Sequence, residues 1–267
     1  MASFKLADIV VDRVVCGLGE TSDGELLYML TNCQDANIDI TSDSTDAVDG
    51  TGAVIKTFYR GKTGELTITN SLISLPIIEQ MSGSAAVVAT TAAPLSIPML
   101  ITTSKAPLDL PGITDAGANS NIVVNAISEN GALGQAYTST DYTITAPSGD
   151  ATVSSMTITP KTGDTRWVVK YDRNVTENGI KIVNRSDKFP KTHKLTLKVL
   201  IVDPCETDVI RAAYVVIPNF QPSPDISFNF ATDATLDFTG RLMTSYCGSE
   251  KVLYEIHVAY DDEEDQD

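Results

Sequence analysis

Basic residues are scarce in this chain. Only 19 Lys and Arg stand against 35 Asp and Glu, a formal charge of -16 at pH 7 over 267 residues. Affinity for a polyanion comes mainly from basic groups that displace condensed counterions, so wrapping around nucleic acid is excluded as a function class. Long apolar runs are missing too. No stretch approaches the roughly 20 apolar residues of a membrane-spanning helix, and Asp8 and Asp12 interrupt the region where a signal peptide needs an unbroken apolar segment. The expectation is a soluble chain, neither exported by that route nor held in a membrane.

Cysteine and histidine are equally sparse. Cys16, Cys33, Cys205 and Cys247 are widely spaced with no CxxC pair, and His193 and His257 complete no zinc pattern. Free thiols and no metal site are expected. Of the sequence signatures for nucleophile elbows, zinc-protease helices, phosphate loops and dinucleotide turns, none occurs. No enzyme, no catalytic residue and no cofactor are therefore expected. A glycosidase would need two carboxylates held ~5–9 Å apart, and nothing in the sequence brings two together. The nearest approach to a ligand motif is Asp43, Asp46 and Asp49 followed by Gly50. Calcium loops place acids at alternate residues, whereas these are three apart. That stretch reads as a solvated loop or as a contact loop between subunits.

What the chain has in abundance is period-two alternation rich in Thr, Val and Ile, the mark of strands with one buried face. The fold class is mainly β. Residues 36–41, 54–60 and 65–70 read as strands, with residues 42–52 as a polar loop and residues 61–64 as a Gly turn. In these strands Ile38, Ile40, Leu66 and Ile68 form the expected buried set, and Asp39 and Glu65 the polar face. Residues 195–199, 226–230 and 254–260 alternate in the same way. One short helix is predicted over residues 75–82, with Ser74 before it, Pro76 in its first turn, Gly83 behind it and an apolar stripe of Leu75, Ile78 and Met81.

The texture changes between residues 106 and 185. This stretch carries 8 acids and 6 bases, against 12 and 6 before it and 15 and 7 after it. A Pro-Gly stretch at residues 106–112 reads as a linker, and short strands separated by turn clusters follow around a single Trp167. Five or more short strands in about eighty residues suggest a small immunoglobulin-like sandwich without the Cys-Trp-Cys core of antibody domains. The expected organisation is a β domain in two parts, 1–105 and 186–260, an inserted immunoglobulin-like domain at 106–185, and an acidic disordered tail at 261–267.

Several stretches of the outer segments carry a resemblance. They are the acidic, Gly-containing residues 41–50, the basic strand and Gly turn at 56–64, the strand at 62–70 leading into the helix, then Asp203-Pro204-Cys205 and residues 217–225. In these the chain resembles a bacteriophage major tail tube protein, over residues 1–100 and 186–260. The resemblance implies a tube-like β-sandwich or barrel whose copies form homohexameric rings, stacked as a tube in the virion and joined to other tail or neck proteins. Genome DNA would pass through without specific binding. It also implies that the inserted domain decorates the outside. Under this reading Asp39 and Glu65 are lumen candidates, and Asp43, Asp46, Asp49 and Gly50 form the subunit-contact loop. The length and the acidic tail keep a capsid decoration protein as the alternative.

Overall fold

The computed structural model describes residues 8–113, 121–148, 153–204, 206–227, 232, 234–245 and 251–263. In chain order the elements are β1 (Val10–Glu20), β2 (Leu26–Leu30), β3 (Cys33–Val48), β4 (Val54–Asn70), α1 (Leu75–Ser82), β5 (Val87–Val88), β6 (Leu95–Thr103), β7 (Leu108–Leu110) and β8 (Val123–Ile127). They continue as β9 (Leu133–Tyr137), β10 (Tyr142–Thr145), β11 (Ser154–Ile158), β12 (Trp167–Val175), β13 (Ile180–Lys181), β14 (His193–Asp203), β15 (Glu206–Pro222), β16 (Leu236–Leu242) and β17 (Glu255–Glu263). The fold is mainly β, as the alternation implies. Two compact units divide it, one from Met1–Ala86 with Ile182–Asp267, the other Val87–Lys181.

The first unit is an eight-stranded antiparallel sheet in the order β2-β1-β14-β15-β16-β4-β3, with β17 on the other half of the β15 edge. Alternation explains it. Leu195, Leu197, Val199 and Ile201 of β14 all turn inward, as do Leu66 and Ile68 of β4 and Leu236 and Phe238 of β16. Three strands separate β2 from β16 in the sheet, yet the Tyr28 and Phe238 rings meet at 5.4 Å. The sheet therefore folds over onto its own apolar face. Among the described residues it ends at β2 and β3 without closing, so the barrel alternative does not hold.

Helix α1 covers the core where the sequence places it, but its buried residues are Ile77, Met81 and Ser82. Leu75, expected on the apolar stripe, is exposed. Gly83 ends the helix at φ 63°, and a Cβ there would lie 2.3 Å from the Phe189 carbonyl, so glycine is required on both counts.

Other readings are corrected. Residues 42–52 are not a loop: β3 runs on to Val48 and only residues 49–53 turn. Residues 61–64 lie inside β4. Gly64 is there because a Cβ would come within 2.9 Å of the Ile40 side chain. Ile40 itself is exposed and Ile38 half-buried, leaving Leu66 and Ile68 as the fully buried pair of the expected four. Ile226 and Ser227 are not in a strand, and residues 228–230 lie outside the described residues, as do 264–267 of the acidic tail.

In the second unit a three-stranded sheet, β10-β11-β7, and a four-stranded sheet, β6-β12-β8-β9, share one core. Leu110, Met156 and Ile158 meet Val124, Trp167, Val169 and Tyr171 there. The Pro-Gly stretch is thus no linker, since it holds β7 and the fully buried Leu110. Strands β5 and β13 pair with each other, so the chain enters and leaves this unit side by side.

One buried polar pair anchors the first unit. Tyr28 donates its hydroxyl proton to His193 Nε2 at 2.7 Å, and His193 Nδ1–H donates to the Lys191 carbonyl at 3.2 Å. A carbonyl only accepts, so Nδ1 carries a proton, and in the neutral ring Nε2 is then the acceptor for the Tyr28 hydroxyl. Burial, partly offset by the Lys191 carbonyl, holds the imidazole below its usual pKa, and burial raises that of Tyr28. The unfolded chain takes up that proton first as pH falls below about 6.5, so stability drops from there toward the lower native value. The urea midpoint of the parent is expected to fall between pH 7.5 and 5.5 by more than that of His193→Gln. Equal slopes would show that this ring does not titrate on unfolding.

Candidate functional site

Strands β3, β4 and β16 place polar side chains on one face in register. Asp35 lies opposite Thr69 and Thr69 opposite Asp237; Asn37, Thr67 and Thr239 form the next row. A third row runs Asp39, Glu65, Arg241, Gln221. Hydrogen bonds hold this face: Thr69 Oγ1 donates to Asp237 at 3.0 Å, Asn37 Nδ2 to Asp39 at 2.8 Å, and the Thr41 and Thr63 hydroxyls share a bond of 2.9 Å. Asp35, Asp39, Glu65 and Asp237 are exposed, and Arg241 is the cation in these rows. Asp39 and Glu65 stand directly opposite each other, an arrangement that costs stability in an isolated hairpin. A shallow depression of about 330 Å³ beside them is lined by Asp39, Thr41, Thr63, Glu65, Arg241 and Met243.

Beyond Gly64 the two strands leave the sheet. The last pair between β16 and β4 is Leu242 with Gly64, whereas β3 and β4 go on pairing to Val48 and Val54. The result is a two-stranded ribbon exposed on both faces. Val48, Val54, Ile55, Phe58 and Tyr59 are all more than half exposed, with Tyr59 at 75%. A hairpin alone in water is marginally stable, and such a cluster of open apolar side chains marks an interaction surface.

The residues expected to form a contact loop lie on this ribbon and are placed differently. Asp43 sits at a bulge and Asp46 faces Thr57, both exposed. Asp49 builds the turn: its carboxylate accepts from Thr51 N at 2.8 Å, Thr51 Oγ1 at 2.6 Å and Ala53 N at 2.9 Å. These bonds, the Thr51 hydroxyl foremost, hold its carboxyl below the usual range. Gly50 belongs to the same turn. Among the described residues no three His, Cys, Asp or Glu side chains converge as metal ligands.

Sequence reasoning missed a polar cluster in the second unit. Lys161 Nζ pairs with Asp141 at 2.9 Å and lies 4.5 Å from the Tyr137 ring centre, while Tyr137 donates its hydroxyl proton to Asp164 at 2.8 Å. Hydrogen bonds from the Thr138 backbone and from Lys161 push the Asp141 carboxyl down to about 2. A carboxylate so firmly ionised pins the β9–β10 corner and is unsuited to proton transfer.

Residues 9–254 match the model of the YomU/Tube protein family, and the chain belongs to that family. No curated protein matches it.

Proposed function

We propose, from membership in the YomU/Tube family, that this chain is the subunit of a phage tail tube, a structural component of the virion. Its copies close into hexameric rings, and the rings stack around a channel for DNA. The observation that carries the reading is the polar face of β3, β4 and β16, whose registered rows hold four exposed carboxylates, Asp35, Asp39, Glu65 and Asp237, with Arg241 opposite Glu65. A wall of this sign repels phosphate, which lets a polyanion slide past without being held. The ribbon with Asp43, Asp46, Asp49 and Gly50 supplies contact between subunits, because its apolar side chains need a cover. The second unit, two sheets around Trp167, is an immunoglobulin-like module carried on the outside of the tube.

Negative-stain microscopy of the purified protein tests the assembly: rings or open-ended tubes are expected, and a monomer or trimer would favour a capsid decoration protein instead. A structure of the assembled tube tests the wall. Carboxylates are expected to outnumber Lys and Arg on the channel surface, and a basic channel would overturn the mechanism.

A further inference from the structure

The bond between Tyr28 and His193 joins an edge of the first unit to its interior. Strand β2 is five residues long and pairs only with β1, whereas β14 has β1 on one side and β15 on the other. Tyr28 and Leu30 are the buried residues of β2, Leu27 is half-buried, and Leu26 and Met29 are exposed. The Tyr28 ring lies over Gly19, where a Cβ would come within 2.3 Å of it. Both ends of this stretch are fixed. Before it a turn closes on itself, with Thr21 N donating to the Glu25 carbonyl at 2.8 Å and Glu25 N donating to Thr21 Oγ1 at 3.1 Å. Behind it the Asn32 carbonyl accepts from Ser71 N at 3.1 Å. Residues 26–31 are thus a strap between two anchored points, with Tyr28 as its catch.

Two surface depressions, of about 410 and 390 Å³, share Thr21, Ser22, Thr192 and His193 in their linings. The charges around the imidazole are few and already engaged. Glu20 of β1 pairs with Lys194 of β14, and Glu79 of α1 accepts from Ala86 N at 3.0 Å. Lys191 stands beside the ring, and β15 brings Pro218, Asn219 and Phe220, none of them charged. Two acids and two bases cancel, and no carboxylate is bonded to the ring. A proton on Nε2 would turn the acceptor of the Tyr28 hydroxyl into a donor. That hydroxyl has no other partner among the described residues, so its own proton would be left buried without an acceptor. The clasp would also hold a charge with no counter-ion.

We propose that the pair is an acid-operated latch: a proton on His193 releases the strap of residues 26–31 from the clasp while the rest of the sheet stays folded. The strap gives way first because it is held by one ladder and two buried side chains, whereas β14 is paired along both edges. Once Tyr28 has left, the two depressions join and water reaches the imidazolium, with Glu20 and Glu79 at the rim. The direction follows from linkage. The closed pair excludes the proton and the open strap admits it at the ordinary histidine value of about 6.5, so opening is insensitive to pH well above that value and grows below it. Between pH 7.5 and 5.5 the ratio of open to closed strap rises by up to about tenfold. His257, the other histidine of the chain, is exposed on β17 and bonded to Glu255 of the same strand. The latch is a property of the single subunit and is independent of the tube reading.

Hydrogen exchange on the full chain, kept dilute enough to stay unassembled, tests the latch. After correction for the intrinsic rate, the amides of Leu26–Leu30 are expected to exchange up to about tenfold faster at pH 5.5 than at pH 7.5. Low urea should barely accelerate them, because the opening exposes little surface. Residues 195–199 of β14 report global unfolding and are expected to respond steeply to urea. In His193→Gln, whose amide can still meet the Tyr28 hydroxyl but does not titrate, the pH effect on Leu26–Leu30 is expected to vanish. Three results overturn the latch: Leu26–Leu30 exchanging with the rate and urea dependence of residues 195–199, a change below twofold between the two pH values, or a pH effect that survives in His193→Gln. The first two need only the parent, so a variant that fails to fold leaves the test intact.

Discussion

Replacing residues 42–62 by Asn-Gly is expected to abolish ring and tube formation while leaving the monomer's melting temperature within about 4 °C of the parent, the shift that ~1 kcal/mol produces in a chain of this size. Thr41 and Thr63 are already a cross-strand pair, so a two-residue type I′ turn joins them without altering the strands below. Every side chain removed is exposed or half-buried, and none belongs to the core around Phe220 and Phe238. The monomer therefore has little to lose. It even sheds five open apolar side chains that favour aggregation. Tubes of normal appearance from the truncated chain would remove the ribbon from the assembly surface. A truncated monomer that unfolds would instead mean that the ribbon supports the sheet.

The opposite outcome is expected at the other end of the hairpin's neighbour strand. Phe238→Ala should destabilise the monomer by about 3–5 kcal/mol, measured as a drop in urea midpoint at unchanged slope. Phe238 is fully buried, and its ring lies 5.4 Å from both Tyr28 and Phe220, which in turn flank His193. These four side chains come from β2, β14, β15 and β16, so the cluster clasps the folded-over sheet. Removing its central ring leaves a cavity that neighbouring rings fill only in part. Against a total stability of about 5–15 kcal/mol this leaves a marginal protein. A loss below about 1 kcal/mol would show that the clasp is not where the sheet is held.

How much of this was legible in the sequence depends on whether an element has a buried face. Helix α1 was readable to the residue because Pro76 and Gly83 punctuate it. The inner part of β4 was readable at residues 65–70 from its alternation. Only half of the ribbon was: residues 54–60 read as a strand, but a strand that meets water on both sides has no reason to alternate, and residues 42–48 read as loop. Gly61 and Gly64 misled for a related reason: glycine marks turns, but Gly64 marks the close approach of Ile40 and Leu242. Asp39 and Glu65 were assignable to a polar face by parity alone. Their neighbours Asp237 and Arg241 were not, because only register brings positions about 170–200 residues apart side by side. The bond between Tyr28 and His193 spans 165 positions and leaves no local trace.

The division of the chain also sets a timetable for synthesis. Strands β1 to β4 leave the ribosome first, but β1 needs β14 and β4 needs β16, both encoded beyond residues 87–181. Those 95 residues take about 5–20 s to translate at the bacterial-to-eukaryotic range of ~5–20 residues per second. During that interval the inward faces of β1 and β4 have no lid, whereas the Val87–Lys181 unit already holds all of its own strands and can close while its host is still half made. The early segment is thus the natural client of a chaperone, and a slow stretch of codons within the interval would lengthen its exposure without altering a single residue of the finished protein.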